Sequence, residues 1–102
     1  RVRAVDVFAV TLGDLLEGQQ EPMHGDEVDT SLLLHLAPEL VRPERAEDYM
    51  VGRERLRRFV QGRAPLPAES AGSLGRPTLA SAEKGRRLYE RLLARIGGRV
   101  LG

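Results

Sequence analysis

The chain has 102 residues, which is enough for one small domain with a single core. Hydrophobic residues make up 41% and charged residues 30%, which excludes a disordered chain, and the net charge of +1 gives no indication of a nucleic-acid partner. No apolar run approaches the ~20 residues that cross a bilayer and no signal peptide opens the sequence, so we expect a cytoplasmic protein with no membrane partner.

A β-strand followed by a short helix is predicted at the start of the chain. Residues 2–10 form a largely apolar, valine-rich run that is typical of a strand buried on at least one face. In residues 12–17 three leucines recur at i, i+3 and i+4, with Thr11 as a suitable cap and Gly18 as the stop. Strand followed by helix indicates an α/β fold. Because the sequence begins directly in this pattern, without methionine, we expect it to be a piece of a longer protein.

A loop and a buried helix are predicted next. Residues 18–25 contain two Gly, two Gln and one Pro, which is typical of a loop, and His24 lies near its end. Residues 26–36 have a helical pattern that is apolar around much of its circumference, so this helix is predicted to be buried. Acidic and hydroxyl residues crowd its amino end, where they suit the unpaired N–H groups and the helix dipole.

The second half of the chain is predicted to be helical with one long loop. Residues 38–49 are predicted to be a connector, with a turn of helix over residues 45–49, and residues 52–62 to hold a short helix. Residues 62–77 contain three Pro and three Gly and are predicted to be an irregular loop. In the last helix apolar residues recur at three- and four-residue steps, with Ser81 as N-cap and an end at Gly97 and Gly98.

His24 and Glu27 are the candidate site residues. The chain has no cysteine, so a metal ion would have to be held by histidine and carboxylates. If the helix begins near Asp26, His24 and Glu27 can converge across its first turn, where each could ligate a metal or transfer a proton. Composition alone favours the simpler alternative, in which the acidic residues cap a helix and His24 is a surface residue. His35, which lies among leucines, is predicted to be a packed or partly exposed histidine and not a ligand.

Two stretches of the sequence resemble one known family. Residues 24–31 read H-G-D-E-V-D-T-S and are followed by P-E-L-V at residues 38–41, which resembles the H-A-G-E-x-E-T-S and P-E-L-V segments of the creatininase family. Residues 75–85 read G-R-P-T-L-A-S-A-E-K-G and are similar to that family's G-x-P-x-x-A-S-A-E-K-G segment. Two matches in the right order, separated by a variable loop, are more specific than either alone.

The resemblance implies a three-layer α/β/α sandwich of which this chain is the C-terminal part. The family's E-x-H-G-x-H-L-P and N-G-H-G-G-N segments, which supply most of its metal ligands, do not occur in these residues. The expected partner is therefore the N-terminal half of the same enzyme, or a chain that supplies it. The resemblance also implies a homo-oligomer.

The activity implied by the resemblance is hydrolysis of a non-peptide or cyclic amide C–N bond by metal-activated water. Such sites use two divalent ions, and zinc, manganese and iron are all admissible with nitrogen and oxygen ligands. His24 matches the family's catalytic histidine, and Glu27 matches a metal-binding glutamate. Asp29 replaces a glutamate, which leaves its role open. Gln20 stands where members that hydrolyse creatinine carry tryptophan, so a different small-molecule amide is expected as the substrate.

Two alternatives stay open at this point. The chain could be a noncatalytic structural or interaction subunit that retains the family fold. Within the family, it could also be a peptide-trimming peptidase like the members that mature mycofactocin. The residues do not distinguish a cyclic amide, a formamide and a peptide as substrate.

Overall fold

The computed structural model describes residues 1–101 and is helical. Within these residues there are three α-helices: α1 spans Glu27–Leu36, α2 spans Arg53–Val60 and α3 spans Ala82–Leu101. Short 3-10 turns punctuate the connections at Val7–Ala9, Gly13–Leu15, Pro38–Leu40, Pro43–Arg45 and Pro77–Leu79. Two isolated antiparallel bridges join His24 to Leu74 and Tyr49 to Gly75. None of the helices in this part of the chain is long and apolar enough to cross a membrane.

The predicted strand over residues 2–10 is not formed. Residues 7–9 make a 3-10 turn, in which the Asp6 carboxylate accepts a hydrogen bond from the Phe8 amide at 2.9 Å. A strand satisfies its backbone through a neighbouring strand, and residues 1–101 contain none. Val2 and Phe8 are accordingly exposed, whereas Val10 reaches the core. The predicted α/β/α layering is therefore not formed within the described residues.

The predicted helix over residues 12–17 shrinks to the 3-10 turn Gly13–Leu15. Its first turn receives no side-chain cap, so the prediction that Thr11 caps it is wrong. The chain then folds back so closely on itself that the Gln20 carbonyl oxygen occupies the space that a Cβ on residue 13 would need. Only glycine fits this close approach. The predicted loop over residues 18–25 is confirmed.

Helix α1 forms where it was predicted and packs on one side only. Asp26 is its N-cap, since its carboxylate accepts a hydrogen bond from the Asp29 amide at 2.9 Å. Val28 lies in the core with Val10, Leu12 and Leu88. Leucines on the opposite side are exposed, 44% at Leu33 and 54% at Leu36, so the prediction of a buried helix holds for one face alone.

Helices α1 and α3 cross in close contact, and this crossing forms the centre of the fold. Gly85 of α3 lies directly against the Ser31 carbonyl of α1, leaving no room for a side chain. The Ser31 hydroxyl accepts a hydrogen bond from the Ser81 amide at 3.2 Å. His35 is half-buried, with its ring 5.7 Å from that of Tyr89, as predicted for a packed histidine.

The predicted ends of the other helices are partly confirmed and partly wrong. Helix α2 lies within the predicted residues 52–62. Ser81 caps α3 as predicted, accepting a hydrogen bond from the Lys84 amide at 3.1 Å. The predicted end at residues 97–98 is wrong, because α3 continues to Leu101; two glycines cost a helix only about 1 kcal/mol each and do not stop it by themselves. The predicted helical turn over residues 45–49 is also absent: the 3-10 turn lies at Pro43–Arg45, and Tyr49 forms a bridge.

Candidate active site

His24 is held at the end of the loop by backbone contacts on both sides. Its amide donates to the Leu74 carbonyl at 3.1 Å, and its carbonyl accepts from the Leu74 amide at 2.7 Å. Gly25 then turns the chain into α1 with a φ of +57°, in the left-handed region that favours glycine. The His24 side chain is left exposed, and its ring meets the edge of Phe59 with 5.2 Å between ring centres.

The imidazole of His24 lines an open cleft of about 1070 Å³. Its lining includes Gln20 and Met23 from the predicted loop and Leu56 and Phe59 from α2. Apolar side chains thus form much of the surface around His24, as in most small-molecule sites. Gln20 lines the same cleft as His24.

The Glu27 carboxylate lies in a different place, fully buried beneath the start of the loop. It accepts hydrogen bonds from the Glu17 amide at 2.7 Å, from the Gly18 amide at 3.0 Å and from the Lys84 ammonium at 2.6 Å. Glu27 does not line the cleft that His24 lines. The two candidate residues therefore do not line a common cleft among the described residues, and their convergence in one site stays a prediction.

Lys84 is the buried partner of Glu27. Its side chain is only 5% exposed, and besides Glu27 it donates to the Leu79 carbonyl at 2.6 Å and lies 3.2 Å from the Glu17 carboxylate. The ammonium thus donates two hydrogen bonds, to Glu27 and Leu79, and makes one further charge contact, with Glu17. A lysine is rarely buried unless it is paired in this way.

The charge state of Glu27 follows from these contacts. Burial by itself would raise the pKa of its carboxyl, because a low-dielectric environment disfavours the anion. The Glu17 amide, the Lys84 ammonium and the Gly18 amide act in the opposite direction and hold the pKa below its usual value. Glu27 is therefore an anion at neutral pH.

Asp26 and Gln19 hold the far end of the loop. The buried Asp26 carboxylate accepts from the Met23 amide at 2.6 Å and from the Gln19 side-chain amide at 2.7 Å. The Gln19 side-chain oxygen accepts from the Glu27 amide at 3.0 Å and from the Arg76 amide at 2.7 Å. One buried glutamine thus ties the loop to α1 and to the segment that leads into α3.

Asp29, in the first turn of α1, has an unusual environment for a carboxylate. It accepts a hydrogen bond from the Gly25 amide at 3.0 Å. Burial, followed by the charge of Asp26, raises the pKa of Asp29, and the Gly25 amide and the nearby His24 oppose that rise only in part. The Asp29 carboxylate thus supports the Gly25 turn that directly follows His24.

Residues 1–101 do not by themselves provide a set of side chains that fits a metal ion. They contain no group of three or more His, Asp or Glu side chains that could hold one. The donors around Glu27 are N–H groups directed at the carboxylate, and an ammonium already stands where a cation would bind. The assignment of Glu27 as a metal ligand stays a prediction, and its surroundings do not favour it.

The family model described as creatininase, creatinine amidohydrolase, matches residues 3–99. The chain belongs to the creatininase family. Creatininases are α/β proteins and generally metal-dependent hydrolases. Comparisons of this creatininase-family chain with curated proteins and with solved structures give no match.

The two creatininase-like segments of the chain pack against each other. Residues 24–31 and residues 75–85 are joined by the contact of Glu27 with Lys84 and by the contact of Ser31 with Ser81. Sequence analysis identified both segments but missed Lys84 and Gln19 as parts of one network. The sequence signal that could have pointed to Lys84 was its place in the second segment, directly before Gly85, which packs tightly against α1 in the structure.

Proposed function

We propose that this chain carries the His24 side of the active site of a metal-dependent amidohydrolase that cleaves a non-peptide or cyclic amide C–N bond. The family assignment supports the reaction class. The observation that carries the proposal is the position of His24: an exposed imidazole in a largely apolar cleft, on a loop fixed by backbone hydrogen bonds. A rigid support of this kind suits a group that must meet a substrate atom in one geometry.

His24 has a defined task in such a reaction. Water adds to the amide carbon, a tetrahedral intermediate forms, and the C–N bond breaks as the nitrogen leaves with a proton. Histidine is the side chain best suited to accept and return protons near neutral pH. We propose that His24 receives the proton released by the attacking water and delivers it to the leaving nitrogen.

The metal site must come from elsewhere. We propose that two divalent ions, zinc, manganese or iron, are held by the N-terminal half of the same enzyme or by a chain supplying it. The cleft that His24 lines would face those residues. A small-molecule amide is the proposed substrate, and Gln20 in the cleft wall supports one other than creatinine. The homo-oligomer and the cytoplasmic location remain predictions.

The test replaces each of the two histidines of this chain, His24 and His35, within the full-length protein. We expect His24→Ala to retain its fold and its bound metal but to lose roughly 10²- to 10⁴-fold in kcat, the usual contribution of a positioned proton-transfer group. The control is His35→Ala, since His35 packs on Tyr89 and does not line the cleft. A screen of cyclic and linear small amides supplies the substrate. Unchanged kcat in His24→Ala would remove this residue from the mechanism.

A further inference from the structure

We propose that Glu27 and Lys84 form a buried ion pair that positions the His24 loop, and that Glu27 is a positioning residue and not a metal ligand. The inference rests on the proposed function only in taking His24 as the group to be positioned. It assigns a role to Lys84, which the sequence analysis did not single out. It also removes the single metal ligand that the resemblance implied for this chain.

The first argument is the donor set around the carboxylate. Both Glu27 oxygens are in use, one with the Gly18 amide and the other with the Glu17 amide and the Lys84 ammonium. These contacts use three of the carboxylate's about four lone-pair sites, and a metal ion bound there would set a second cation against the buried ammonium and compete with it for the same negative charge. Burial of a charge without its partner is strongly unfavourable.

The second argument is what the pair holds. Glu27 fixes the start of the loop through the amides of residues 17 and 18, and Asp26 fixes its end through the Met23 amide next to His24. Two consecutive acidic residues at the start of α1 thus close the loop at both ends. His24 follows Met23 directly, so any shift of the loop moves the imidazole along the cleft wall.

The third argument is the position of Lys84 in the fold. Its ammonium joins three segments: the start of the loop through Glu17, the start of α1 through Glu27, and the turn Pro77–Leu79 through the Leu79 carbonyl. Its own backbone lies in the first turn of α3, next to the contact between Gly85 and Ser31. The pair therefore couples the crossing of α1 and α3 to the loop that carries His24.

The experiment compares Glu27→Gln, Lys84→Met and the double variant in the full-length protein. Metal per chain is measured by mass spectrometry, the His24 ring signals by NMR, and kcat and KM with the best amide from the screen. We expect all three variants to retain wild-type metal content. Both single variants should shift the His24 signals and lower kcat at least tenfold with less than threefold change in KM. The fold loss of kcat in the double variant should be smaller than the product of the two single-variant losses, because the double variant leaves no unpaired buried charge.

Leu92→Ala is the matched control for a loss of stability alone. Leu92 packs against the core from α3, eight residues beyond Lys84, which is about 12 Å along a helix. It should lower the melting temperature without moving the His24 signals. A comparable shift of those signals in Leu92→Ala would overturn the positioning role.

The metal measurement decides between the two roles of Glu27. Loss of metal in Glu27→Gln, with metal retained in Lys84→Met, would make Glu27 a ligand and overturn the inference. If a single variant fails to fold, the double variant still decides, because it lacks the carboxylate but leaves no buried charge. Full activity in His24→Ala would defeat the proposed function, whereas shifted His24 signals in the two pair variants would still support the ion pair as the device that holds the loop.

Discussion

Gly85→Ala tests the crossing of α1 and α3 on which the site is built. The Cβ of an alanine at this position would lie 2.5 Å from the Ser31 carbonyl carbon and 2.9 Å from the His35 Cβ, with the Ser31 oxygen closer still. The obstacle is the backbone of α1, so no change of rotamer can relieve it. The two helices would have to move apart.

The expected magnitude combines two opposing effects. Alanine in place of glycine inside a helix stabilises it by about 1 kcal/mol. Overpacking a tight contact costs about 1–3 kcal/mol, and a contact with backbone belongs at the upper end of that range. The net loss is then about 2 kcal/mol, which lowers Tm by roughly 8–16 °C in a unit of about 100 residues and by roughly 4–8 °C in a domain of about 150–250 residues.

The assay is thermal and urea denaturation, with Gly98→Ala as the matched control. Gly98 lies in the same helix, and a Cβ there meets nothing within 4 Å. The control should therefore keep the propensity gain of up to about 1 kcal/mol and raise Tm. The two alanines should move stability in opposite directions. A Gly85→Ala variant as stable as the wild type would refute the close crossing.

Two further predictions concern a raised pKa and the core. The pKa of Asp29 is raised in the folded state, so stability is lost as pH rises through the window between the ordinary and the raised pKa. Asp29→Asn, which mimics the protonated form, should therefore be more stable than the wild type at neutral pH in urea titrations; a gain that persists below about pH 3 would contradict this cause. In the core, Leu88→Ala should lower the free energy of unfolding by about 2–5 kcal/mol, because Leu88 is 0% exposed. Leu93 is 55% exposed, so Leu93→Ala should lower it by less than about 1 kcal/mol. Equal losses in the two variants would contradict the burial assigned to α3.

Local signals predicted the helices, since a helix makes its hydrogen bonds within one segment. The Ser81 cap and the apolar spacing of α3 lie within a few turns of each other and could be identified without tertiary information. A strand over residues 2–10 could not be judged from local sequence signals in the same way. Its residues have the right side chains, but a strand depends on a partner that can lie anywhere in a chain, and residues 1–101 provide none.

The candidate site was predictable to the same degree. The sequence placed His24 at the end of a loop before α1, and the structure agrees. The cleft wall could not be foreseen, because Phe59 meets the His24 ring from another helix. The bridge between His24 and Leu74 likewise joins two loops that have no periodic pattern.

Asp26 and Glu27 explain why an acidic pair at a helix start is ambiguous in sequence. Capping was the simpler interpretation for both, and it is right for Asp26, whose short side chain reaches the Asp29 amide three residues ahead. Glu27 is one methylene longer and already inside the helix, so its carboxylate turns back to the preceding loop and meets Lys84, 57 residues away in sequence. The role of neither residue can be read from its own position in the sequence. A glutamate at the start of α1 suggests a metal ligand or a helix cap. A lysine in the first turn of α3 suggests a solvated side chain. Burial of both charges in one contact leads to the positioning role, and only the fold brings them together.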